Sequence, residues 1–277
     1  VKTYTRITPE IMTELVDEAS ALQLRVAAHL GLTDAATAAR IGVRSIEHLS
    51  GVPEAALRNP EPLYAAHRRS FFDGWTAFEA SWAGLDSTIL SLVARQLANA
   101  RIFLVPTLVL HETYSRLDDS TLYAEAGLAA VPDSIRERWN VPGMIGRAGW
   151  NTREFEAFRR SRPNQDLFLR EFIRAGGVAV AGTDASNQML VPGLSLHQEM
   201  ELMVRAGLTS PAALLAATRN AARLLGADSL GAVIPGGVAD LLVLSANPLD
   251  DISNTRQVEL VVLRGQMFSP DSIRGTW

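Results

Sequence analysis

The stretch Gly-Gly-Val-Ala-Val-Ala-Gly-Thr-Asp-Ala-Ser, residues 176–186, indicates the fold class of this chain. Residues 178–181 are apolar with no alternating polar positions, which is typical of a strand covered on both faces. Gly182 follows, and Asp184 places a carboxylate where the strand ends. A charged group at the exit of a buried strand either caps the next turn or belongs to a functional site.

Outward from this strand, the chain alternates apolar strands with amphipathic helices. Such alternation is typical of an α/β protein with a parallel sheet or barrel. Five of these units form an open sheet, or they are the later part of a barrel that needs eight. The predicted strands lie near residues 1–4, 24–29, 45–49, 102–110 and 178–183.

Two long stretches, residues 51–84 and 112–163, interrupt the alternation and are predicted to be irregular, with the next helix over 166–175. Long insertions after barrel strands lie over the active-site mouth and shape substrate choice. Their aromatic content favours a pocket for apolar or aromatic groups, although tryptophans in long loops also anchor such loops in the core. The tryptophans in question are Trp75, Trp82, Trp139 and Trp150.

The chain changes character after Gly226. Residues 239–244 and 258–268 are predicted strands, and the connection between them leaves no room for a crossover helix. We therefore predict two domains, an α/β part over residues 1–227 and a small β part over residues 228–277.

Composition excludes several classes of function. The 277 residues include 26 Lys and Arg against 30 Asp and Glu, a net charge of −4, so we predict no nucleic-acid partner. No apolar run reaches the length of a bilayer span, so we predict no membrane partner. The absence of cysteine rules out disulfides and thiolate catalysis. We also expect a homo-oligomer.

Four polar residues lie at or near the carboxyl ends of predicted strands: Lys2, His29, His48 and Asp184. In a barrel these ends meet at one face, which carries the catalytic groups. Two imidazoles and a carboxylate around a buried point suit a divalent transition metal such as zinc. The ammonium of Lys2 has no lone pair, but a lysine carboxylated on its side-chain nitrogen would bridge two metal ions. Singly, a strand-end histidine is more often a structural group, so the prediction depends on all four residues together.

Two further residues are candidates for contact with a substrate. Tyr4 lies two positions after Lys2, so both side chains point to the same side of the strand. His111 follows the predicted strand 102–110 and could donate a hydrogen bond to a substrate carbonyl or carboxylate. The alternatives are a pocket-lining aromatic residue and a simple loop histidine.

Several segments occur in a characteristic order and resemble the amidohydrolase superfamily, in particular the branch of imidazolonepropionase-like proteins and prolidase-like, metal-dependent dipeptidases. The resemblance covers most of the chain apart from residues 51–84 and 112–163. The segments are Val-Lys-Thr-Tyr (1–4), Arg-Val-Ala-Ala-His (25–29), Ser-Ile-Glu-His (45–48), Ala-Gly-Thr-Asp-Ala (181–185), Pro-Gly-Leu-Ser-Leu-His-Gln-Glu-Met (192–200), Ala-Ala-Thr-Arg-Asn-Ala-Ala-Arg-Leu-Leu-Gly (216–226), Gly-Gly-Val-Ala-Asp-Leu-Leu-Val-Leu (236–244) and Asn-Pro-Leu (247–249).

The resemblance implies a TIM-type (β/α)8 barrel beside a small β-sandwich, with strands four to eight of the barrel and the C-terminal sandwich strands in this chain. It implies that Lys2 is a carboxylated ligand that bridges two ions, zinc by preference. His29 and His48 then bind the second ion, and Asp184 binds the first and moves the proton. The implied reaction is hydrolysis of an amide or peptide-like C–N bond, in a dipeptide or an N-acyl amino acid.

One departure from the family pattern carries a further expectation. The first barrel strand of the family holds a His-x-His pair that completes the first metal site, and the five histidines here include no such pair. We expect the pair on a complementary N-terminal segment, which would be a partner of this chain.

Two other interpretations stay open. One is a cyclic-amide hydrolase or deaminase with one metal ion, in which Lys2 is an ordinary amine. The other is a non-catalytic remnant that keeps the fold for binding or assembly. Metal stoichiometry separates the first from the two-ion hydrolase, because a carboxylated lysine accompanies two ions.

Overall fold

The computed structural model describes residues 1–185 and 187–274. Within these ranges, five short strands form a parallel sheet and three more form a separate antiparallel sheet. The parallel sheet consists of β1 (Lys2–Thr3), β2 (Ala27–Ala28), β3 (Ser45–Glu47), β4 (Phe103–Val105) and β5 (Val178–Ala179). The antiparallel sheet consists of β6 (Leu241–Leu244), β7 (Val258–Leu263) and β8 (Gln266–Phe268).

Helices account for most of the remaining chain. They are α1 (Pro9–Ala21), α2 (Ala35–Ile41), α3 (Val52–Ala56), α4 (Glu61–Arg69), α5 (Phe71–Ser81), α6 (Ser87–Asn99), α7 (Leu108–Ser115), α8 (Asp133–Arg136), α9 (Val141–Ala148), α10 (Thr152–Arg174), α11 (Leu194–Arg205), α12 (Ser210–Ala217), α13 (Arg219–Leu225) and α14 (Pro270–Arg274). Short 3-10 helices cover Trp82–Gly84, Ser120–Ala124, Ala126–Ala130 and Ile252–Arg256. None of the helices in the described ranges combines the length and apolar character that a membrane crossing requires.

The strands of the parallel sheet are adjacent in the order of the sequence, β1 to β5. Their registers pair Thr3 with Ala28, Ala28 with Ile46, and Leu104 with both Ile46 and Ala179. Sequential parallel strands require a crossover between each pair, and helices supply these crossovers. The predicted α/β architecture is therefore confirmed.

The strands are shorter than the sequence predicts. The run 102–110 is a strand only over Phe103–Val105, and α7 begins at Leu108. Pro106 lacks the backbone N–H that would continue the ladder, and Thr107 adopts a left-handed φ of 48°. The chain therefore leaves the sheet early and starts a helix beside it.

The predicted irregular character of residues 51–84 and 112–163 is wrong for most of their length. The first stretch folds into α3, α4 and α5, and the second contains the second half of α7, together with α8, α9 and the first half of α10. α10 begins at Thr152 and runs through Pro163, where a later helix start was predicted. Asn151 and Glu154 form a capping box at its start, and its apolar face is buried. Tertiary packing thus outweighs the single hydrogen bond that the proline removes.

The main core lies between the parallel sheet and its helices. α10 packs on α5, α6 and α7, and its phenylalanines fill the space between these helices. The fully buried aromatic side chains there are Trp82, Phe158, Phe168 and Phe172. This packing fixes α5 and α7, which both carry side chains toward the carboxyl end of the sheet.

The antiparallel sheet joins β6 to β7 and β7 to β8, with an irregular register between Val243 and Leu244. It agrees with the predicted strand over 239–244, whereas the predicted strand over 258–268 is a hairpin of two strands that turns at Arg264 and Gly265. The division at residue 227 stays a prediction, and residues 275–277 of the predicted second domain lie outside the described residues.

Candidate active site

Three of the predicted metal ligands meet at the carboxyl ends of the parallel strands. Nε2 of His48 lies 3.9 Å from Oδ2 of Asp184. The ring of His29 lies edge-on to the ring of His48, with centroids 4.7 Å apart. The ring of Tyr4 contacts the other side of His29, also at 4.7 Å. Residues from four strand exits, separated by up to 180 positions in the sequence, therefore form one cluster.

Backbone geometry at the strand exits aims these side chains. His48, Leu49, Thr107 and Asp184 all have positive φ, at 59°, 55°, 48° and 56°. Such left-handed conformations cost free energy for residues other than glycine, and they concentrate at functional sites. The strain here coincides with the places where a side chain must turn from the sheet toward the cluster.

The adjacent glycine has a different role. A Cβ added to Gly182 would lie 2.5 Å from Cγ1 of Val105, closer than real side chains pack. Gly182 therefore lets β5 approach β4 just before Asp184, which explains the glycine in the opening stretch.

Burial keeps both histidines of the cluster neutral. It lowers the pKa of His29 to about 3, with a smaller contribution from the charge of Lys2. It also lowers the pKa of His48 well below its usual value. Nδ1 of His48 is 2.9 Å from the hydroxyl oxygen of Thr107, which leaves Nε2 on the side of Asp184. A neutral imidazole with one nitrogen held by a neighbour is the form that binds metals.

Asp184 is only partly enclosed, with 31% of its side chain exposed. Partial burial raises the pKa of its carboxyl, and the nearby charge of Lys2 opposes that rise. Nδ2 of Asn187 donates to Oδ2 of Asp184 at 2.6 Å and to its backbone oxygen at 2.9 Å. These bonds fix the carboxylate at the edge of the cluster, open to solvent on one side.

Lys2 is exposed and lines a separate open cavity of about 710 Å³ together with Glu47. Its charge contributes to the lowered pKa values of both histidines and opposes the rise in the pKa of Asp184. Glu47, on the neighbouring strand, accepts a hydrogen bond from the hydroxyl of Ser45 at 2.6 Å. Burial raises the pKa of this carboxyl.

The donor chemistry of the cluster suits a divalent transition metal, since it combines two neutral imidazoles with a carboxylate. Within residues 1–185 and 187–274, however, no three His, Cys, Asp or Glu side chains come close enough together to hold one ion. The described residues therefore supply ligands that fit a metal in kind but not a complete coordination shell.

His111 supports the cluster through a hydrogen bond to the backbone of His48. Its Nε2 lies 3.1 Å from the carbonyl oxygen of His48, and its Nδ1 forms a hydrogen bond with the carboxyl of Glu79. The second oxygen of Glu79 accepts from Nε2 of Gln165 at 3.0 Å. Both ring nitrogens of His111 thus have protein partners. Its predicted contact with substrate stays a prediction that this geometry does not favour.

A cavity of about 160 Å³ opens beside Asp184, and we call it the aromatic cavity. Its walls include side chains from the start of the chain, α5, α7 and Trp150. Tyr4, a predicted substrate contact, is part of its lining, whereas His111 is absent from the described lining residues. The residues that matter for its chemistry are Tyr4, Phe71, Trp75, Tyr114, Trp150 and Asp184.

Two buried acids near the site, Glu79 and Glu199, were not predicted from the sequence. Oε2 of Glu199 accepts a hydrogen bond from the backbone N–H of Val109 at 2.7 Å, at the start of α7. Its Oε1 has no partner among the described residues, and burial raises its pKa to about 8. Helical spacing was the available signal for Glu79, because it shares one face of α5 with Trp75 and Phe78.

The profile of the Amidohydrolase family matches residues 3–268, nearly the whole chain. The chain belongs to the amidohydrolase family. The sequence resemblance described above is thereby confirmed, and it agrees with the observed α/β fold, since the fold of this family is generally a TIM barrel.

Two relatives agree with this family assignment. The chain is 41% identical to an imidazolonepropionase of Deinococcus deserti over 87 residues, which are 31% of this chain and 22% of the relative. It is 32% identical to an uncharacterised protein of Mycobacterium tuberculosis over 166 residues, 58% of this chain and 42% of the relative. The matches thus span less than half the length of either relative.

Solved structures show the same fold. A bottromycin amidohydrolase superposes with a TM-score of 0.70 and 22% identity over 100% of this chain and 57% of its own. A Xaa-Pro dipeptidase with methionine bound in its active site gives a TM-score of 0.59 and 19% identity, over 95% of this chain and 49% of its own. This amidohydrolase chain therefore corresponds to about half of each structure.

Proposed function

We propose that this chain carries part of the active site of a metal-dependent hydrolase that cleaves an amide or peptide-like C–N bond, in a dipeptide or an N-acyl amino acid. The observation that carries the proposal is the approach of the Asp184 carboxylate to within 3.9 Å of Nε2 of the neutral His48, with His29 beside it. Membership of the amidohydrolase family supports the class of reaction.

We propose His29, His48, Asp184 and a carboxylated Lys2 as ligands of two divalent ions, zinc by preference. When bound, such ions supply Lewis-acid chemistry, which lowers the pKa of water and polarises a carbonyl. Asp184 accepts a proton from the attacking water at a carboxylate oxygen and passes it to the leaving nitrogen. Its open side gives that oxygen access to substrate, and Asn187 holds it in place.

Two observations support a larger assembly. The described residues hold an incomplete set of metal ligands, and the chain corresponds to about half the length of the similar structures. We propose that the parallel sheet forms strands four to eight of a (β/α)8 barrel over residues 1–227, and that residues 228–277 belong to a small β-sandwich. A complementary N-terminal segment would bring a His-x-His pair and close the barrel, and we propose that the complete enzyme is a homo-oligomer.

A one-metal cyclic-amide hydrolase or deaminase is the second candidate. It is supported by the 41% identity to an imidazolonepropionase. In that enzyme Lys2 would stay an amine and a single ion would be bound.

One experiment separates these candidates. The protein is purified from its native source, and its intact mass, metal content and activity are measured on the same sample. Two ions per site with hydrolysis of dipeptides or N-acyl amino acids support the proposal, and one ion with turnover of cyclic amides or release of ammonia favours the alternative. Failure to bind zinc or hydrolyse any amide in the complete assembly refutes both and favours the non-catalytic remnant. A single 30.0 kDa species with full activity would refute the complementary segment alone.

A further inference from the structure

We propose that the aromatic cavity binds one uncharged six-membered ring, or an apolar group of that size, on the substrate residue next to the scissile bond. The inference rests on the proposed function and specifies the substrate class of that same site. It starts from the position of the cavity, because Asp184 and His29 both line it. A group held there is therefore adjacent to the carboxylate proposed to move the proton.

The volume of the cavity limits the size of the ligand. It measures about 160 Å³. An apolar cavity of roughly 150 Å³ in another protein stays dry and binds benzene. A phenyl ring or a short branched aliphatic chain fits this volume with room to spare, whereas an indole ring would fill it almost completely.

The lining favours an apolar ligand. Trp75 stacks on His111 at 5.7 Å, and Phe71 stacks on both Tyr4 and Trp75 at 5.9 and 6.3 Å. Ring contacts of this kind leave the cavity with π faces and edges that suit a further aromatic ring. Asp184 is the one carboxylic acid among the described lining residues, and no lysine or arginine is among them.

The first test measures binding, independently of hydrolysis. Isothermal titration of the protein with N-acetyl-L-phenylalaninamide, N-acetylglycinamide, N-acetyl-L-tryptophanamide and a trimethylammonium analogue of the phenylalanine compound compares four side chains. Burial of the benzyl group predicts a Kd about tenfold or more below that of the glycine compound. The tryptophan compound should bind more weakly than the phenylalanine compound. Equal affinity for glycine and phenylalanine, or tightest binding of the trimethylammonium compound, would overturn the proposal.

The second test changes the size of the cavity. Phe71→Ala removes a wall residue that is 38% exposed, so the fold should tolerate it, and Ile89→Ala on α6 is a control of equal exposure outside the cavity. We expect Phe71→Ala to reverse the preference between the tryptophan and phenylalanine compounds, and the control to keep it. An unchanged preference in both variants would also overturn the proposal.

The two proposals fail in different ways. A benzyl preference in a protein that binds no metal and hydrolyses no amide supports the aromatic cavity and refutes the proposed function. Hydrolysis with no preference among the side chains supports the proposed function and refutes the proposed role of the aromatic cavity.

Discussion

Nε2 of His111 lies 3.1 Å from the carbonyl oxygen of His48, and this contact fixes the tautomer of the His111 ring. A carbonyl oxygen can only accept, so Nε2 carries the hydrogen. The hydrogen bond between Nδ1 and the carboxyl of Glu79 then needs one more proton, which the two groups share. Glu79 and His111 thus form a buried pair that holds the backbone of His48 in its left-handed conformation.

Replacement of Glu79 tests this pair. Glu79→Ala leaves the side chains of His111 and Gln165 without buried partners, so we expect the free energy of unfolding to fall by about 1–3 kcal/mol. Glu79→Gln can donate to Nδ1 of a neutral His111 and accept from Gln165, and it should lose much less. Urea denaturation of both variants measures the difference, and equal losses would contradict the assigned hydrogen bonds.

Replacement of Asp184 tests proton transfer. Asp184→Asn keeps the shape of the side chain but cannot take a proton, so we expect the turnover of the complete enzyme to fall at least about 100-fold. Circular dichroism should show the fold retained. Asp17→Asn, at an exposed carboxylate on α1, is the control and should leave turnover unchanged. Substantial activity in Asp184→Asn would remove this residue from the mechanism.

Replacement of the histidines tests the ligands. We expect His29→Gln and His48→Gln each to weaken zinc binding more than about tenfold, since each removes a lone pair from the coordination shell. His197→Gln is the control, because His197 contacts the hydroxyl of Thr255 at 2.9 Å, away from the cluster. Elemental analysis after dialysis against a competing chelator gives the comparison. If the control loses as much zinc as the two site variants, the assignment fails.

The pKa of Glu199 predicts a pH dependence of stability. The folded pKa of about 8 exceeds the ordinary value of 4.5, so the folded state binds the proton more tightly than the unfolded state does. The contribution of Glu199 is fully present below pH 4.5 and is lost as pH rises to 8, with a slope of at most about 1.4 kcal/mol per pH unit. In Glu199→Gln this loss should disappear. The free energy of unfolding of the wild type minus that of the variant should therefore fall as pH rises across that window. Urea midpoints between pH 5 and 8 measure the slope, and parallel curves would be inconsistent with a protonated Glu199.

The sequence predicted the residues at the strand exits well, but it did not predict the buried acids Glu79 and Glu199 near the site. His29, His48 and Asp184 each lie at or near the carboxyl end of a predicted strand, so the strand pattern placed them at one edge of the sheet. Glu79 and Glu199 lie within amphipathic helices, where only the spacing of apolar neighbours distinguishes a buried acid from an exposed one. The packing of α10 on α5 and of α7 on α11 shows that both acids face the core.

The helical stretches were missed for a related reason. Residues 51–84 include Pro53, Pro60 and Pro62, and Pro163 is a strong local signal against a continuous helix. The buried phenylalanines of α10 outweigh that signal through contacts with α5 and α6, which are distant in sequence. Such contacts cannot be derived from local propensity.

The four left-handed residues at the strand exits have a consequence for engineering. Glycine would adopt each of these conformations without penalty, at a relief of roughly 1–2 kcal/mol per position. In three of the four, the chain instead has His48, Thr107 or Asp184, whose side chains build the cluster. His48, Leu49 and Thr107 are buried, so glycine there would lose more in packing than it relieves in strain. At the partly exposed Asp184, selection for thermal tolerance alone should favour glycine and thereby remove the carboxylate.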